Sequence, residues 1–408
     1  MAVVDFSLAK PTTGFYENPY PTYDELRLHE PLKKLNIGTQ QETTFLTRYA
    51  DVVAVYRLSG AVASSDKKIE FLPKYGNTPL FEHHTSSLVF NDPPLHTRVR
   101  KLLMGALNQR AIQRMAQGVT ELVELLVFEL AQKREVDLIN DFCAAIPVEV
   151  IGNLLAVPVA DRAPLRGWSL AILAALEPTL TPEMHANGNA AVTAFSEYLK
   201  LLVADRKKHP LNPDEDVLTR LIQGEGFDGE RLSEAELLHN CIFLLNAGHE
   251  TTTNTLGNGF NALLNHPEQW LRLQADAGLV NPAIEEMLRF ESPLQLNNRR
   301  LLENTQIGGV SFEAGALLTL GVGAANRDPA EFENPHVFDV GRKPNRHLAF
   351  GHSEHACAGM NVARLEARIA VAHFLKTFKA MERSAEPIRD LRVRFRGLKT
   401  LPVLLKPH

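Results

Sequence analysis

Phe350-Gly351-His352-Ser353-Glu354-His355-Ala356-Cys357-Ala358-Gly359 is the stretch on which the reading of this chain turns. Its small and polar residues make a loop, and the run that follows, MNVARLEARIAVAHFLKTF, reads as a long helix. The loop therefore delivers a cysteine to a helix start. Unpaired N–H groups and partial positive charge there favour thiolate over thiol. Cys143 and Cys241 sit instead among apolar neighbours, Phe142 and Ala144 for one, Ile242 and Phe243 for the other, and read as inert core thiols.

A thiolate so placed suits a soft axial ligand to haem iron, whose electron donation favours O–O cleavage. Phe350 would cover the sulfur side, and Gly359 would let the backbone pass close to a macrocycle. Two other readings stay open on these residues alone. His352, His355 and Cys357 could bind zinc, although three crowded ligands without a partner pair fit that metal poorly. Cys357 could also be a nucleophile with His355 as its base, which their opposite directions on an extended loop disfavour.

Working outward, Ser233-Glu234-Ala235-Glu236 is a capping-box pattern that opens a helix. The helix runs through LLHNCIFLLNAGHETTTNTLGNGFNALLN to a break at His266-Pro267. That is about 48 Å at about 1.5 Å per residue, long and apolar enough to cross the interior of a large domain. Its middle, Ala247-Gly248-His249-Glu250-Thr251-Thr252, holds poor helix formers where good ones are expected, which marks a functional site. A second helix, from 282 to about 290, carries Glu286 and Arg289 at i and i+3 on one face.

Strand patterns are fewer. Leu32–Ile37 and 43–47 flank Gly38-Thr39-Gln40 as a hairpin, and Tyr49–Arg57 reads as a short helix. Further strands are expected around 301–320, with turns at Gly308-Gly309 and Ala314-Gly315, and again over 391–405. From about 98 to 378 helical patterns dominate. The class is mainly α with a minor β portion. No Pro/Gly/Ser-rich linker or internal repeat divides the 408 residues, so a single domain over 1–408 is expected, β-rich at about 30–60, about 300–325 and the C-terminal strands.

Composition excludes several functions. The chain is 45% hydrophobic and 22% charged, and 43 basic against 48 acidic side chains give a net charge of −5. That balance gives no support to nucleic-acid binding. Three cysteines do not make a disulfide framework. The N-terminal MAVVDFSLAKPTTGFYENPYP lacks a signal-peptide pattern, and no run of about 18 apolar residues predicts a membrane anchor. A cytoplasmic monomer is expected.

At this point the residues resemble the cytochrome P-450 family over almost the whole chain. The loop matches the family's Phe, Gly, Cys and Gly pattern, except that Ser353 stands where the family usually has Gly; a locally adjusted turn is expected. Glu286-Met287-Leu288-Arg289 resembles the family's buried Glu-x-x-Arg pair, with Ser292-Pro293-Leu294-Gln295 and Arg299 following it. The resemblance implies the family fold, with haem b between the long central helix and the cysteine-loop helix, and Cys357 on the iron. It also implies that His96 and Arg100, within Asp92-Pro93-Pro94-Leu95-His96-Thr97-Arg98-Val99-Arg100, reach the propionates together with Arg299 and His355. Ala247 and Gly248 would leave room above the iron, Thr251 would hydrogen-bond dioxygen or its water, and Glu250 would relay protons from solvent. His249 fills the motif's variable position and has no role in this reading.

The activity implied is insertion of one atom of dioxygen into a small hydrophobic substrate, with electrons from a separate ferredoxin and ferredoxin reductase. Arg98, Arg100, Lys101, Arg110, Arg114, Arg342, Lys343 and Arg346 are the docking candidates for an acidic ferredoxin. The pocket is expected near 71–89, 168–184, Leu244, Ala247, Leu294, Gln295, Asn297 and Gly397-Leu398, with His83 and His84 among its few polar groups. A peroxide-driven peroxygenase and a non-enzymatic haem sensor or carrier are the alternative functions.

Overall fold

A computed structural model describes residues 5–37, 41–107, 109–213, 216–224 and 231–408. The chain is 57% helix and 13% strand, the mainly α class read from the sequence. It divides into two compact units, one of Met1–Ser64, Thr120–Ala145 and Thr251–His408, the other of Ser65–Val119 and Ile146–Glu250.

The first unit holds the larger sheet. Leu32–Ile37 pairs antiparallel with Gln41–Leu46, in a register running from Leu32 opposite Leu46 to Ile37 opposite Gln41. The expected turn at 38–40 lies outside the described residues. Gln41–Leu46 then pairs in parallel with Leu317–Gly321, which pairs antiparallel with Leu296–Leu301. The strands expected from 301 thus begin at Leu296. Within that span Gly308 and Gly309 turn a small hairpin, with φ of +58° and +81°, the paired left-handed angles that a two-residue turn requires. Tyr49–Arg57 is helical as read.

Three further elements of this unit position the site. Val280–Phe290 starts two residues before the expected Pro282, leaving that proline in the first turn. Met360–Thr377 is the helix after the cysteine loop. Phe260 on the central helix packs its ring 4.6 Å from Phe374 on the cysteine-loop helix, with Phe142 5.5 Å from Phe374. Close approach also needs small residues: a Cβ at Gly257 would lie 2.4 Å from Ile139 Cδ1.

The second unit is helical, built on Leu95–Ala106, Leu165–Ala174 and Pro182–Lys208 among others. Its core includes Trp168 stacked 5.1 Å from Phe195 and a buried Arg206–Asp216 pair. The central helix runs unbroken over Glu234–Asn265. Its capping box forms as read: Ser233 N–H donates to Glu236 Oε2 at 2.8 Å, and Glu236 N–H to Ser233 Oγ at 3.2 Å. No described helix is long and apolar enough to cross a membrane.

Candidate active site

The cysteine loop is folded by its own backbone. Cys357 N–H donates to the Phe350 carbonyl at 2.8 Å, Gly351 N–H to Leu348 at 2.9 Å and Ala356 N–H to Ser353 at 3.0 Å. Gly351 and Ser353 both adopt left-handed angles, φ +66° and +60°. The serine therefore accepts the conformation a glycine would take without strain, and its Oγ lies 2.8 Å from His352 Nδ1. That is the adjusted turn expected there. Cys357 is partly exposed, whereas Cys143 and Cys241 are buried. Burial pushes the Cys241 thiol up to about 12 and Cys143 higher still, which leaves both inert. A Cβ placed on Gly359 meets no atom within 4 Å, so the start of the following helix offers clearance for a planar group. Among the described residues no three His, Cys, Asp or Glu side chains converge as metal ligands, so His352, His355 and Cys357 do not form a ready zinc set here.

Behind the loop stands a charged clamp that sequence reasoning missed. Glu285 accepts from Arg364 Nε and Nη2 at 2.7 and 2.8 Å, and pairs with His347 Nε2 at 2.9 Å. The Arg364 guanidinium lies 4.6 Å over the Phe350 ring. Burial alone would raise Glu285, but the hydrogen bonds from Arg364 and His347 outweigh it and bring the carboxyl down to about 2. Arg364 is held charged first by its hydrogen bond to Glu285, and the field of Cys357 adds to this. The only sequence cue was that Glu285 adjoins Glu286.

Glu286 and Arg289 are fully buried, and their bidentate pair measures 2.7 and 2.8 Å. Arg289 also donates to the carbonyls of Asn326 and Pro335, both at 2.9 Å. Glu286 in turn accepts from Arg342 Nε at 3.1 Å, Asn345 Nδ2 at 3.1 Å and Asp339 N–H at 3.0 Å. The pair is thus buried, as the resemblance implies. Arg342, read as a docking cation, is corrected: it is committed to Glu286 because the carboxylate still had acceptor capacity after binding Arg289.

The residues assigned to haem carboxylates are placed as follows. Arg299 is buried on Leu296–Leu301, donates to the Asn298 carbonyl at 2.8 Å and lies 5.5 Å over the Tyr56 ring. His355 ends the short turn Ser353–His355. His96 is buried and Arg100 half-buried one turn apart on Leu95–Ala106. Arg98 on the same helix pairs with Glu236, so it too is committed internally.

On the central helix most residues of the middle turns are buried, but Phe243, Gly248 and Thr251 are half-buried and Ala247 is exposed. At 100° per residue Phe243, Ala247 and Thr251 form one stripe, the open face of an otherwise enclosed helix. Gly248 has a different reason for being small, since a Cβ there would lie 2.8 Å from Ile151 Cδ1. Room beside the stripe comes from Ala247, while Gly248 permits helix packing. Glu250 is buried next to Thr251, and His249 is buried and held neutral, its pKa lowered to about 3 by burial and then by Arg166.

Among the pocket candidates, Leu244 belongs to the core of its unit and Leu294 is half-buried. Gln295 is corrected to a structural role. Its amide accepts from Tyr23 Oη at 3.2 Å and donates to the Ser292 carbonyl at 2.8 Å, against a glycine, Gly323, that leaves it space. Asn297 is tied to Arg299 Nη1 at 3.3 Å and to Tyr56 Oη at 3.3 Å.

A mainly helical fold, a cysteine presented at a helix start and a buried Glu-x-x-Arg lock define a haem-thiolate monooxygenase. The family model described as Cytochrome P450 matches residues 170–404, more than half of the chain. The chain is 34% identical over 403 residues to the biotin biosynthesis cytochrome P450 of Bacillus subtilis, covering 96% of this chain and 97% of the relative. It is 35% identical over 402 residues to the vitamin D(3) 25-hydroxylase of Pseudonocardia autotrophica, covering 97% and 95%. A solved structure of P450BioI with hexadec-9Z-enoic acid-ligated acyl carrier protein superposes with a TM-score of 0.86 at 33% identity, covering 97% of this chain and 100% of that one. The chain belongs to the cytochrome P450 family, and its cofactor is the family's thiolate-bound haem.

Proposed function

We propose that Cys357 supplies the thiolate to haem iron in a monooxygenase that oxidises a small hydrophobic substrate. The observation that carries this reading is the partly exposed Cys357, held by its 2.8 Å bond to Phe350 beside the charged clamp on that ring. Arg299, His355, His96 and Arg100 neutralise the haem carboxylates; a buried dianion needs such partners. Bound haem supplies the reductive activation of dioxygen. Ala247 gives dioxygen and substrate room on the open stripe. The Thr251 hydroxyl donates a hydrogen bond there, and Glu250 passes protons to it from solvent. The Glu286–Arg289–Arg342 lock holds the segment that leads into the loop and so helps fix the position of Cys357.

A cytoplasmic chain with reduced cysteines fits this reading. Electrons come from an acidic ferredoxin and its reductase. A concavity of about 470 Å³ beside the loop supports docking of an acidic partner, being lined by Arg57, Arg346, His347 and His352 along with Tyr49 and Glu331. One relative is named for vitamin D(3) and the solved P450BioI structure holds hexadec-9Z-enoic acid on acyl carrier protein, both largely apolar molecules, and that class is carried over to this chain. The test is dioxygen uptake driven by ferredoxin and reductase over a substrate panel. Uptake matched by oxygenated product, and weakened by salt, is the expected result. Equal product rates from hydrogen peroxide alone would favour the peroxygenase, and reductant use indifferent to every substrate would favour a sensor or carrier.

A further inference from the structure

Three imidazoles and an amide meet inside the second unit, on the flank of the central helix. His83 and His84, from the short helix Pro79–Ser86, and His239 and Asn246, from the central helix, are all buried. The His83 ring lies 5.0 Å from His84 and 5.7 Å from His239. His83 Nε2 is 3.4 Å from Asn246 Nδ2. His83 Nδ1, Asn246 Oδ1 and His239 Nδ1 are each shut away from solvent and find no hydrogen-bond partner among the described residues. An unmatched buried polar atom is costly to a fold, so three in one place need a reason beyond packing.

The pairing defines what these atoms offer. If the Asn246 amide donates to His83 Nε2, then the proton of the neutral ring sits on Nδ1. The pair then presents one donor, His83 Nδ1–H, beside one acceptor, Asn246 Oδ1. Turning the amide over exchanges the two roles and leaves the same count. His239 Nε2 faces the Glu82 carboxylate at 3.5 Å, which places its proton there and leaves Nδ1 as a further acceptor. Burial, with the neighbouring imidazoles adding, holds His83 far below the ordinary histidine range, and burial also lowers His239. The rings are therefore neutral.

We propose that His83 and Asn246, flanked by His239, form a hydrogen-bonding seat for a hydroxyl group on an otherwise apolar substrate, and that the enzyme prefers such an alcohol to the corresponding carboxylate. A hydroxyl both donates and accepts, and so satisfies the pair. A carboxylate only accepts, carries a charge that neutral imidazoles do not balance, and is repelled by Glu82. The wall is apolar: the His84 ring packs 5.5 Å from Phe71, 5.4 Å from Tyr75 and 5.6 Å from Phe90. His239 and Asn246 are seven residues apart and share one side of the helix, with Phe243 between them and Ala247. A molecule lying along the open stripe thus has the seat at its flank. Entry requires the short helix to lift. It is tethered near its two ends by Leu80 N–H on Asn189 Oδ1 at 2.9 Å and Leu88 N–H on Asn240 Oδ1 at 3.0 Å.

This inference rests on the monooxygenase reading for its substrate but not for its test. Calorimetric titration compares an alcohol, its methyl ether and its acid on two skeletons, a steroid and a straight C14 chain. For at least one skeleton the alcohol binds ten-fold or more tighter than both analogues, and His83→Phe and Asn246→Leu each abolish that margin. His83→Gln, which keeps a donor and an acceptor, retains most of it and shows that the loss in the other variants is not misfolding. The proposal is overturned if the acid binds as tightly as the alcohol, if no alcohol binds, or if the margin survives both variants. The carbon monoxide spectrum is read in parallel. Loss of its thiolate band with the margin intact sinks the oxygenase reading alone, and the reverse sinks the seat alone.

Discussion

The cysteine loop and the histidine cluster are built on opposite principles. Around Cys357 the chain fixes each part with groups of its own: backbone bonds close the loop, Arg364 clamps Phe350, and Glu286 gathers Arg289, Arg342, Asn345 and a backbone N–H. Around His83 the chain leaves polar atoms unmatched in an apolar setting. A cofactor ligand has to hold one geometry through changes of charge on the iron. A selective binding surface has to keep hydrogen-bonding capacity for something the chain does not contain. The contrast separates the part of the molecule that serves any substrate from the part that chooses one.

The largest effect should come from breaking the fixed side. Arg289→Ala leaves the Glu286 carboxylate buried with three of its four partners and without its bidentate one, a loss of about 3–5 kcal/mol that should show as little or no folded, haem-containing protein on purification. Next comes Glu366, on the cysteine-loop helix. It is buried, its Oε2 finds no partner among the described residues, and burial raises its pKa to about 8. Because the folded pKa is raised, stability is greatest below the unfolded value near 4.3 and is lost as pH rises toward 8. Glu366→Gln should remove that slope, raising the denaturant midpoint at pH 8 and leaving it unchanged at pH 4.

Thr251→Ala sharpens the comparison on the dioxygen side. Haem binding should be unchanged, while product per reductant falls about ten-fold and hydrogen peroxide rises; unchanged coupling would remove Thr251 from the mechanism. The smallest effect is expected at Ser353. Replacing it by glycine relieves a left-handed serine and gives up some unfolded-state entropy, for a net gain of about 0.5 kcal/mol in thermal melts. A loss there would mean that the Ser353–His352 bond matters more than the strain.

What was legible in the sequence was local. The cysteine loop, the capping box at Ser233, the long helix and the Glu286–Arg289 spacing are each written within a few residues, and each stands where it was read. What escaped depends on which distant group a side chain meets. Gln295 looked like a pocket residue and is spent on Tyr23, 272 positions away. Gly248 read as space for dioxygen, and the fold adds a second demand on it, the close approach of Ile151. Arg342 looked like a docking cation and completes the Glu286 site. His83 and Asn246 were separate until the fold joined them across 163 positions. A polar residue's spacing shows its own helix face; the partner on that face comes only from the fold.

The central claim, that Cys357 ligates haem iron, is tested most directly by the spectrum of the reduced protein under carbon monoxide, for the wild type and for Cys357→His. A strongly red-shifted Soret band is expected in the wild type, and its loss in the variant even where the variant still binds haem. A red-shifted band that survives Cys357→His, or a wild type that takes up no haem when it is supplied during expression, would contradict it.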